Sequence, residues 1–204
     1  KEIIESKKPM IVFGESFFKI KSASYLFNLS KKFLSKNNKL NDDWNPINIL
    51  SVDAATVGNL DLDIIDKNNK ILDELHENKF EIIFLLGQDN LDFKKKDEFI
   101  IYQGSHGDRG AEIADIILPG AAFTEQSGHY TNLEGKLQKA YKASYPPGDA
   151  KEDWQIINDL AEVMNNRKLF NDKDELESSM FNYLKINKDQ QTSELDYELN
   201  ESDF

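Results

Sequence analysis

Two short runs, Glu81-Ile82-Ile83-Phe84-Leu85-Leu86-Gly87 and Phe99-Ile100-Ile101-Tyr102, decide the fold. Each is too short for a helix of ordinary length, and the first is closed by glycine. Neither alternates apolar with polar residues. Strands that are apolar on both sides are covered on both faces, which is the habit of a parallel sheet flanked by helices. The two runs therefore predict an α/β fold, a three-layer unit with a mostly parallel sheet.

Toward the N-terminus the pattern repeats. Pro9-Met10-Ile11-Val12-Phe13-Gly14 reads as a buried strand. From about Phe17 to Lys36, Phe17, Ile20, Tyr25, Leu26, Leu29, Phe33 and Leu34 recur at three- and four-residue steps and predict one helix. Asn37-Asn38 and Asn41-Asp42-Asp43 break it. A second strand is expected over Ile47 to Val52, and a polar helix over Lys67 to Asn78. The stretch from Leu60 to Ile65 has no period that assigns it.

Toward the C-terminus the character changes. Gly104, Gly107, Gly110, Gly120, Gly128 and Gly135 predict a loop-rich segment in which only Asp115-Ile116-Ile117-Leu118 reads as a strand, stopped by Pro119-Gly120. Pro146-Pro147-Gly148-Asp149 is a rigid turn, with Asp149 the expected cap of a helix through Trp154, Ile157, Leu160, Ala161 and Met164. A last helix is expected from Asp172 to Leu184. From Asn187 onward six acids face one lysine, a tail expected to be disordered or ordered by a partner.

Composition narrows the function. The 204 residues carry 25 Lys+Arg against 37 Asp+Glu, a net charge of −12, which disfavours nucleic acid as a partner. Thirteen Phe and seven Tyr supply a core, while zero Cys removes any thiolate-held zinc or iron-sulfur centre from this chain. No apolar run approaches the roughly 18 residues of a membrane span. The sequence opens at Lys1 without a tripartite signal, so further sequence, removed or encoded elsewhere, is expected upstream.

Individual residues suggest little chemistry. Gly104 to Gly110 follows a strand, where α/β folds place phosphate loops. It has neither a dinucleotide fingerprint nor a P-loop Lys, and Asp108 and Glu112 would repel phosphate. A tight structural loop is the expectation. His76, His106 and His129 have no metal-ligand spacing. Asp53, Asp115, Glu125 and Glu134 form no visible nucleophile-base pair. Lys19, Lys21, Lys31, Lys32 and Lys36 could make a docking face, with ordinary solvation the preferred reading.

The stretch from Phe99 through Gln103-Gly104-Ser105-His106-Gly107-Asp108-Arg109-Gly110-Ala111, Ala114-Asp115-Ile116-Ile117-Leu118-Pro119, Glu125 and Asn132-Leu133-Glu134-Gly135 to Ala140 resembles a known family. The family is the largest iron-sulfur subunit of respiratory complex I, the NADH:ubiquinone oxidoreductase. The Ala-Asp-Ile-Ile-Leu-Pro block and the Asn132 to Gly135 element are those of the wider molybdopterin-oxidoreductase superfamily. The loop from Gln103 to Ala111 points to the complex I branch. The likeness extends through Lys8-Pro9-Met10-Ile11-Val12 in front and Pro146-Pro147-Gly148 with Glu152-Asp153-Trp154 behind. Departures are Lys136 where Arg is usual, Leu133 where Thr is common and His129 where a small residue is usual.

The resemblance implies that residues 1–168 are the C-terminal part of a molybdopterin-oxidoreductase-like domain and 169–204 a terminal helix and acidic tail. It implies a structural, non-catalytic piece with no catalytic, cofactor-binding or metal-ligating residue. Its iron-sulfur clusters would lie on a partner chain or a missing Cys-rich N-terminal half. His106, Asp108, Arg109, Asp115, Pro119, Glu125, Tyr130, Asn132, Glu134, Gly135 and Trp154 would fix loops or interfaces. The implied partners are that Cys-rich part and other hydrophilic-arm subunits. The implied place is the matrix side of the mitochondrial inner membrane or, alternatively, the cytoplasmic side of a bacterial cytoplasmic membrane. Because the likeness starts inside a domain, a split subunit is expected. The alternative is a fragment of a true molybdopterin enzyme such as a formate dehydrogenase.

Overall fold

The computed structural model describes residues 1–66, 70–90 and 94–185. They form a mixed α/β fold with parallel sheets, in two compact units: residues 1–59 with 131–136, and the described residues of 60–130 with 137–185.

In the first unit, after a single helical turn α1 (Glu2–Glu5), β1 (Ile11–Gly14) pairs in parallel with β2 (Ile47–Leu50), Ile11 opposite Ile47 and Gly14 opposite Leu50. A parallel pair needs a crossover, and α2 (Ala23–Lys36) provides it. The expected helix start at Phe17 is corrected. Residues 15–19 form a 3-10 turn, and Ile20 is extended at φ −85°, ψ 145°. The cause is an aromatic cluster. Phe13 lies 4.7 Å from Phe17 and 5.4 Å from Phe27, and Phe17 meets Phe18 edge-on at 5.2 Å, so the rings are held beneath the helix start instead of within it. Leu34 is fully buried. The second strand stops at Leu50, short of Val52, because the Val52 amide donates to the Glu15 carboxylate at 2.8 Å.

In the second unit, β3 (Ile82–Leu86), β4 (Phe99–Gly104) and β5 (Ile116–Pro119) form a parallel sheet in that spatial order. Side chains alternate across a sheet. Ile83, Leu85, Ile100 and Tyr102 share the face that packs under Leu75 of α4 (Ile71–His76) and Ala111 and Ile113 of α5 (Arg109–Ile113). The other face carries Ile82, Leu86, Phe99 and Ile116, each 42–64% exposed. Of the polar helix expected over Lys67 to Asn78, residues 67–69 lie outside the described residues, and the helix is confined to Ile71–His76. A further short helix, α3 (Thr56–Asp61), was not foreseen.

Beyond β5 two expectations are corrected. Gly128–Thr131 (β6) and Leu137–Ala140 (β7) form a two-stranded sheet, so Asp115 to Leu118 is not the last strand of the loop-rich segment. The helix α6 (Asp153–Asn165) is capped by Glu152, not Asp149, through a reciprocal capping box with Gln155. Asp149 is too early because Lys151 is still paired, its amide donating to the Pro119 carbonyl and its carbonyl accepting from Ala121. The last helix, α7 (Lys173–Leu184), has Asp172 as its cap, accepting from the Glu175 amide at 2.9 Å. Asn158 in α6 is buried and holds the connecting loop by three bonds to the backbone of Leu169 and Phe170. The acidic tail lies outside the described residues.

Candidate functional site

The carboxyl ends of β3 and β4 open into a cleft of about 450 Å³ lined by Asp89, Gln103, His106, Asp108, Gln126 and Asp153 among others. Open α/β sheets bind ligands at this end. Tyr102 fixes the near wall. It is 1% exposed, and its hydroxyl donates to Asp89 at 3.0 Å, while the other Asp89 oxygen accepts the Gly110 amide at 2.9 Å. Burial, the bond to Asp89 and the charges of Asp89 and Asp108 push the Tyr102 phenol up to about 12.

The far wall is a polar chain. Gln103, buried on the opposite face of β4 from Tyr102, donates to Asp153 at 2.8 Å, and Gln126 donates to the second Asp153 oxygen at 2.8 Å. The Gln126 side chain also accepts the Asp153 amide, so the first residue of α6 is clamped to the sheet. The glycines nearby serve packing. A Cβ on Gly104 would overlap the Tyr102 phenol, and one on Gly110 would stand 2.5 Å from its ring. Gly104 and Gly110 thus let the loop close around Tyr102.

Charge limits what the cleft can take. Its lining includes the carboxylates of Asp89, Asp108 and Asp153 and no Lys or Arg among the described residues. A phosphate-bearing ligand would meet like charge there and no fixed cation. Among the described residues no cluster of three or more His, Asp or Glu could hold a metal ion, and no helix is long and apolar enough to cross a membrane.

The other residues singled out in the sequence are spread over several loops. His106 and Asp108 line the cleft; the His106 ring meets the Ser105 hydroxyl at 2.9 Å, and Asp108 precedes α5, which Arg109 opens. Asp115 joins the front of the sheet, accepting the Ile100 amide at 2.8 Å and pairing with Lys95 at 2.5 Å. The amide bond and then Lys95 hold its carboxyl below the usual carboxylate range. Pro119 ends β5, and Glu125 closes its own loop by accepting the Ala122 amide at 2.9 Å. Asn132 organises the turn between β6 and β7, accepting the Glu134 and Lys136 amides at 2.9 and 3.0 Å, with Gly135 at φ +79°. Glu134 pairs with Lys136 in solvent, and Tyr130 is partly exposed on β6. Trp154 donates to Glu152 at 3.2 Å.

Sequence reasoning missed the densest charged group. Glu152, 8% exposed, accepts from Lys173 at 2.5 Å, Lys142 at 3.3 Å and Trp154, while Lys173 also donates to the Ser127 carbonyl at 2.7 Å. Burial pushes its carboxyl up, but the two lysines and the indole outweigh that and leave it below its ordinary value. Nothing local signals this, because the partners lie 10 and 21 residues away. Asp89, Gln103 and Gln126 were missed for the same reason.

Comparison with known proteins agrees with this architecture. The family model for molybdopterin oxidoreductase matches residues 1–163. The chain is 40% identical over 170 residues to the NADH-ubiquinone oxidoreductase 75 kDa subunit of Reclinomonas americana, covering 82% of this chain and 24% of that one. It is 41% identical over 171 residues to the mitochondrial NADH-ubiquinone oxidoreductase 78 kDa subunit of Candida albicans, covering 82% and 23%. It is 47% identical over 161 residues to a subunit of the NADH-quinone oxidoreductase of Rickettsia typhi, covering 77% and 22%. The chain spans about a quarter of the length of these curated relatives. None of the three is a formate dehydrogenase, so that alternative is not favoured. With the family match running from the first strand pair through most of α6, the chain belongs to the molybdopterin oxidoreductase family.

Proposed function

We propose that this chain is a non-catalytic structural part of the largest iron-sulfur subunit of an NADH:quinone oxidoreductase, complex I. The observation that carries the reading is its 40–47% identity, over about four-fifths of its length, to subunits of that enzyme. Electrons pass through clusters held by cysteines on a Cys-rich polypeptide or segment, since this chain has none to offer. Residues 1–168 act as part of the molybdopterin-oxidoreductase-like domain and 169–204 as an appended helix and tail. The assembly sits at the matrix face of the mitochondrial inner membrane or the cytoplasmic face of a bacterial one.

Two features support a scaffold role. The open sheet face at Ile82, Leu86, Phe99 and Ile116 is apolar and awaits cover from neighbouring protein. What this chain contributes to the cleft does not fit the family's phosphate-bearing pterin, because among the described residues its wall offers three carboxylates and no fixed cation. His106, Asp108, Arg109, Asp115, Pro119, Glu125, Tyr130, Asn132, Glu134, Gly135 and Trp154 then fix loops and interfaces. Substituting them lowers assembly before it lowers turnover per assembled enzyme.

The test is to tag the chain in its own cells, extract membranes gently, and analyse what co-purifies. Recovery with a Cys-rich chain in a large assembly that oxidises NADH with quinone is the expected result. Recovery of the chain alone, or with stoichiometric molybdenum, would overturn the reading.

A further inference from the structure

The clearest unexplained feature is the outward side of α2. Ala23, Leu26, Phe27, Ser30 and Leu34 form its inward side, with Ala23 and Leu34 buried. At 3.6 residues per turn, Tyr25, Leu29, Lys32 and Lys36 fall within roughly 60° of one another on the opposite side. Their spacing of four, three and four residues is that of a helix-pairing seam. Tyr25 is 69% exposed and Leu29 48%, where a solvated helix would carry polar residues.

The charge around this seam is segregated. Residues 16–41 contain six lysines and no acid, in a chain whose net charge is −12, so the remainder carries −18. Among the described residues neither Lys32 nor Lys36 has an ion-pair partner, and the helix itself supplies no carboxylate. Simple solvation explains lysines in the last turn, which suit the helix dipole. It does not explain Tyr25 and Leu29 in line with them.

We infer that the Tyr25–Leu29–Lys32–Lys36 seam docks one acidic amphipathic helix of a neighbouring polypeptide, running antiparallel to α2. The direction follows from the order of residues. The basic half of the seam is C-terminal, so an antiparallel partner brings its N-terminal turns against Lys32 and Lys36, where acids also suit its own dipole. Its C-terminal turns then meet Tyr25 and Leu29 with apolar side chains. An anionic lipid surface fits less well, because a membrane-lying helix needs a broad apolar face and the broad apolar face of α2 is already turned inward.

The inference rests on the complex I reading, and its test separates the two. Lysine acetylation is quantified by mass spectrometry in the full-length chain alone and in the purified assembly, and carbodiimide then joins touching lysine-carboxylate pairs. At least tenfold lower acetylation of Lys32 and Lys36 in the assembly is expected, with Lys1 and Lys168, both outside α2, as reference positions. Carbodiimide products should link Lys32 or Lys36 to the N-terminal half of one acidic segment. Lys32→Glu with Lys36→Glu should reduce recovery of that neighbour at least fivefold, and Lys32→Arg with Lys36→Arg should restore it, the circular dichroism of both matching the parent chain. An intact assembly with equally reactive lysines overturns the docking proposal alone. So do links only to this chain's own tail, or protection that disappears when anionic lipid is removed. A chain recovered in no assembly overturns the proposed function and the docking proposal together.

Discussion

The charged group that pins α7 to the start of α6 gives the sharpest test of what holds the second unit together. Lys173→Met removes the 2.5 Å bond to Glu152 and the 2.7 Å bond to the Ser127 carbonyl, leaving Glu152 with Lys142 and the Trp154 indole. The Glu152 side chain is 11% exposed and that of Lys173 28%, so solvent screens the pair only in part. A charge-assisted hydrogen bond of this kind contributes about 1.5–3 kcal/mol net. With Lys142 remaining, about 2 kcal/mol is expected for Lys173→Met and a similar loss for Glu152→Gln. The double variant should lose well under the sum, a coupling of about 1–2 kcal/mol.

Urea unfolding of the full-length chain carrying Trp44→Phe, so that the fluorescence is that of Trp154, which bonds Glu152 directly, reads these values. For a chain of this size about 2 kcal/mol corresponds to a melting shift of roughly 4–8 °C. The pH dependence follows from the direction of the shift. The folded carboxyl lies below its ordinary value, so its contribution is complete above the ordinary carboxylate pKa and lost as pH falls through the lowered one. Coupling that is present at pH 7 and declines as pH falls below the ordinary carboxylate range, through the lowered Glu152 value, is the expected result. A coupling under about 0.3 kcal/mol at pH 7 would refute the reasoning, since independent sites already add to within that margin.

Three further outcomes are expected. In a spectrophotometric titration Tyr102 should ionise only near pH 12; because the folded value is raised, its stability contribution holds below the ordinary tyrosine pKa and fades above it, a loss that Tyr102→Phe removes at a cost of about 1–3 kcal/mol at neutral pH for the unpaired Asp89 oxygen. Burial against the edge of Phe181 holds His129 below its ordinary value, so stability should fall as pH drops below about 6.5 toward the lowered folded value, and His129→Phe should flatten that slope in denaturant titrations. Gly110→Ala should cost about 1–3 kcal/mol in the same assay, because the new methyl group stands 2.5 Å from the Tyr102 ring, whereas Gly107→Ala, with open space at its Cβ, should be near neutral.

The sheet of the second unit was legible because strands apolar on both faces read as uninterrupted runs, as in Ile82 to Leu86 and Phe99 to Tyr102, although one of those faces is packed and the other stays open at Ile82, Leu86, Phe99 and Ile116. Element ends were less so. The helix start at Ala23 was hidden because Phe17 and Ile20 sit at helical spacing while serving the cluster around Phe13. Strands β6 and β7 were invisible, since Gly-His-Tyr-Thr and Leu-Gln-Lys-Ala are short and half polar, and their pairing depends on the Asn132 turn. In the cleft, His106 and Asp108 were marked by their loop. Gln103, Gln126 and Asp153 meet across 50 and 27 residues, a separation no local pattern spans.

The room made for Tyr102 by Gly104 and Gly110 bears on how such proteins diverge. A glycine-spaced turn after a parallel strand is commonly taken as the imprint of a bound nucleotide. Here the same spacing is required by a buried phenol and its carboxylate acceptor, with phosphate repelled by the surrounding charge. Packing alone therefore accounts for those two glycines, and a glycine-spaced turn after a parallel strand is by its spacing no sign of a nucleotide.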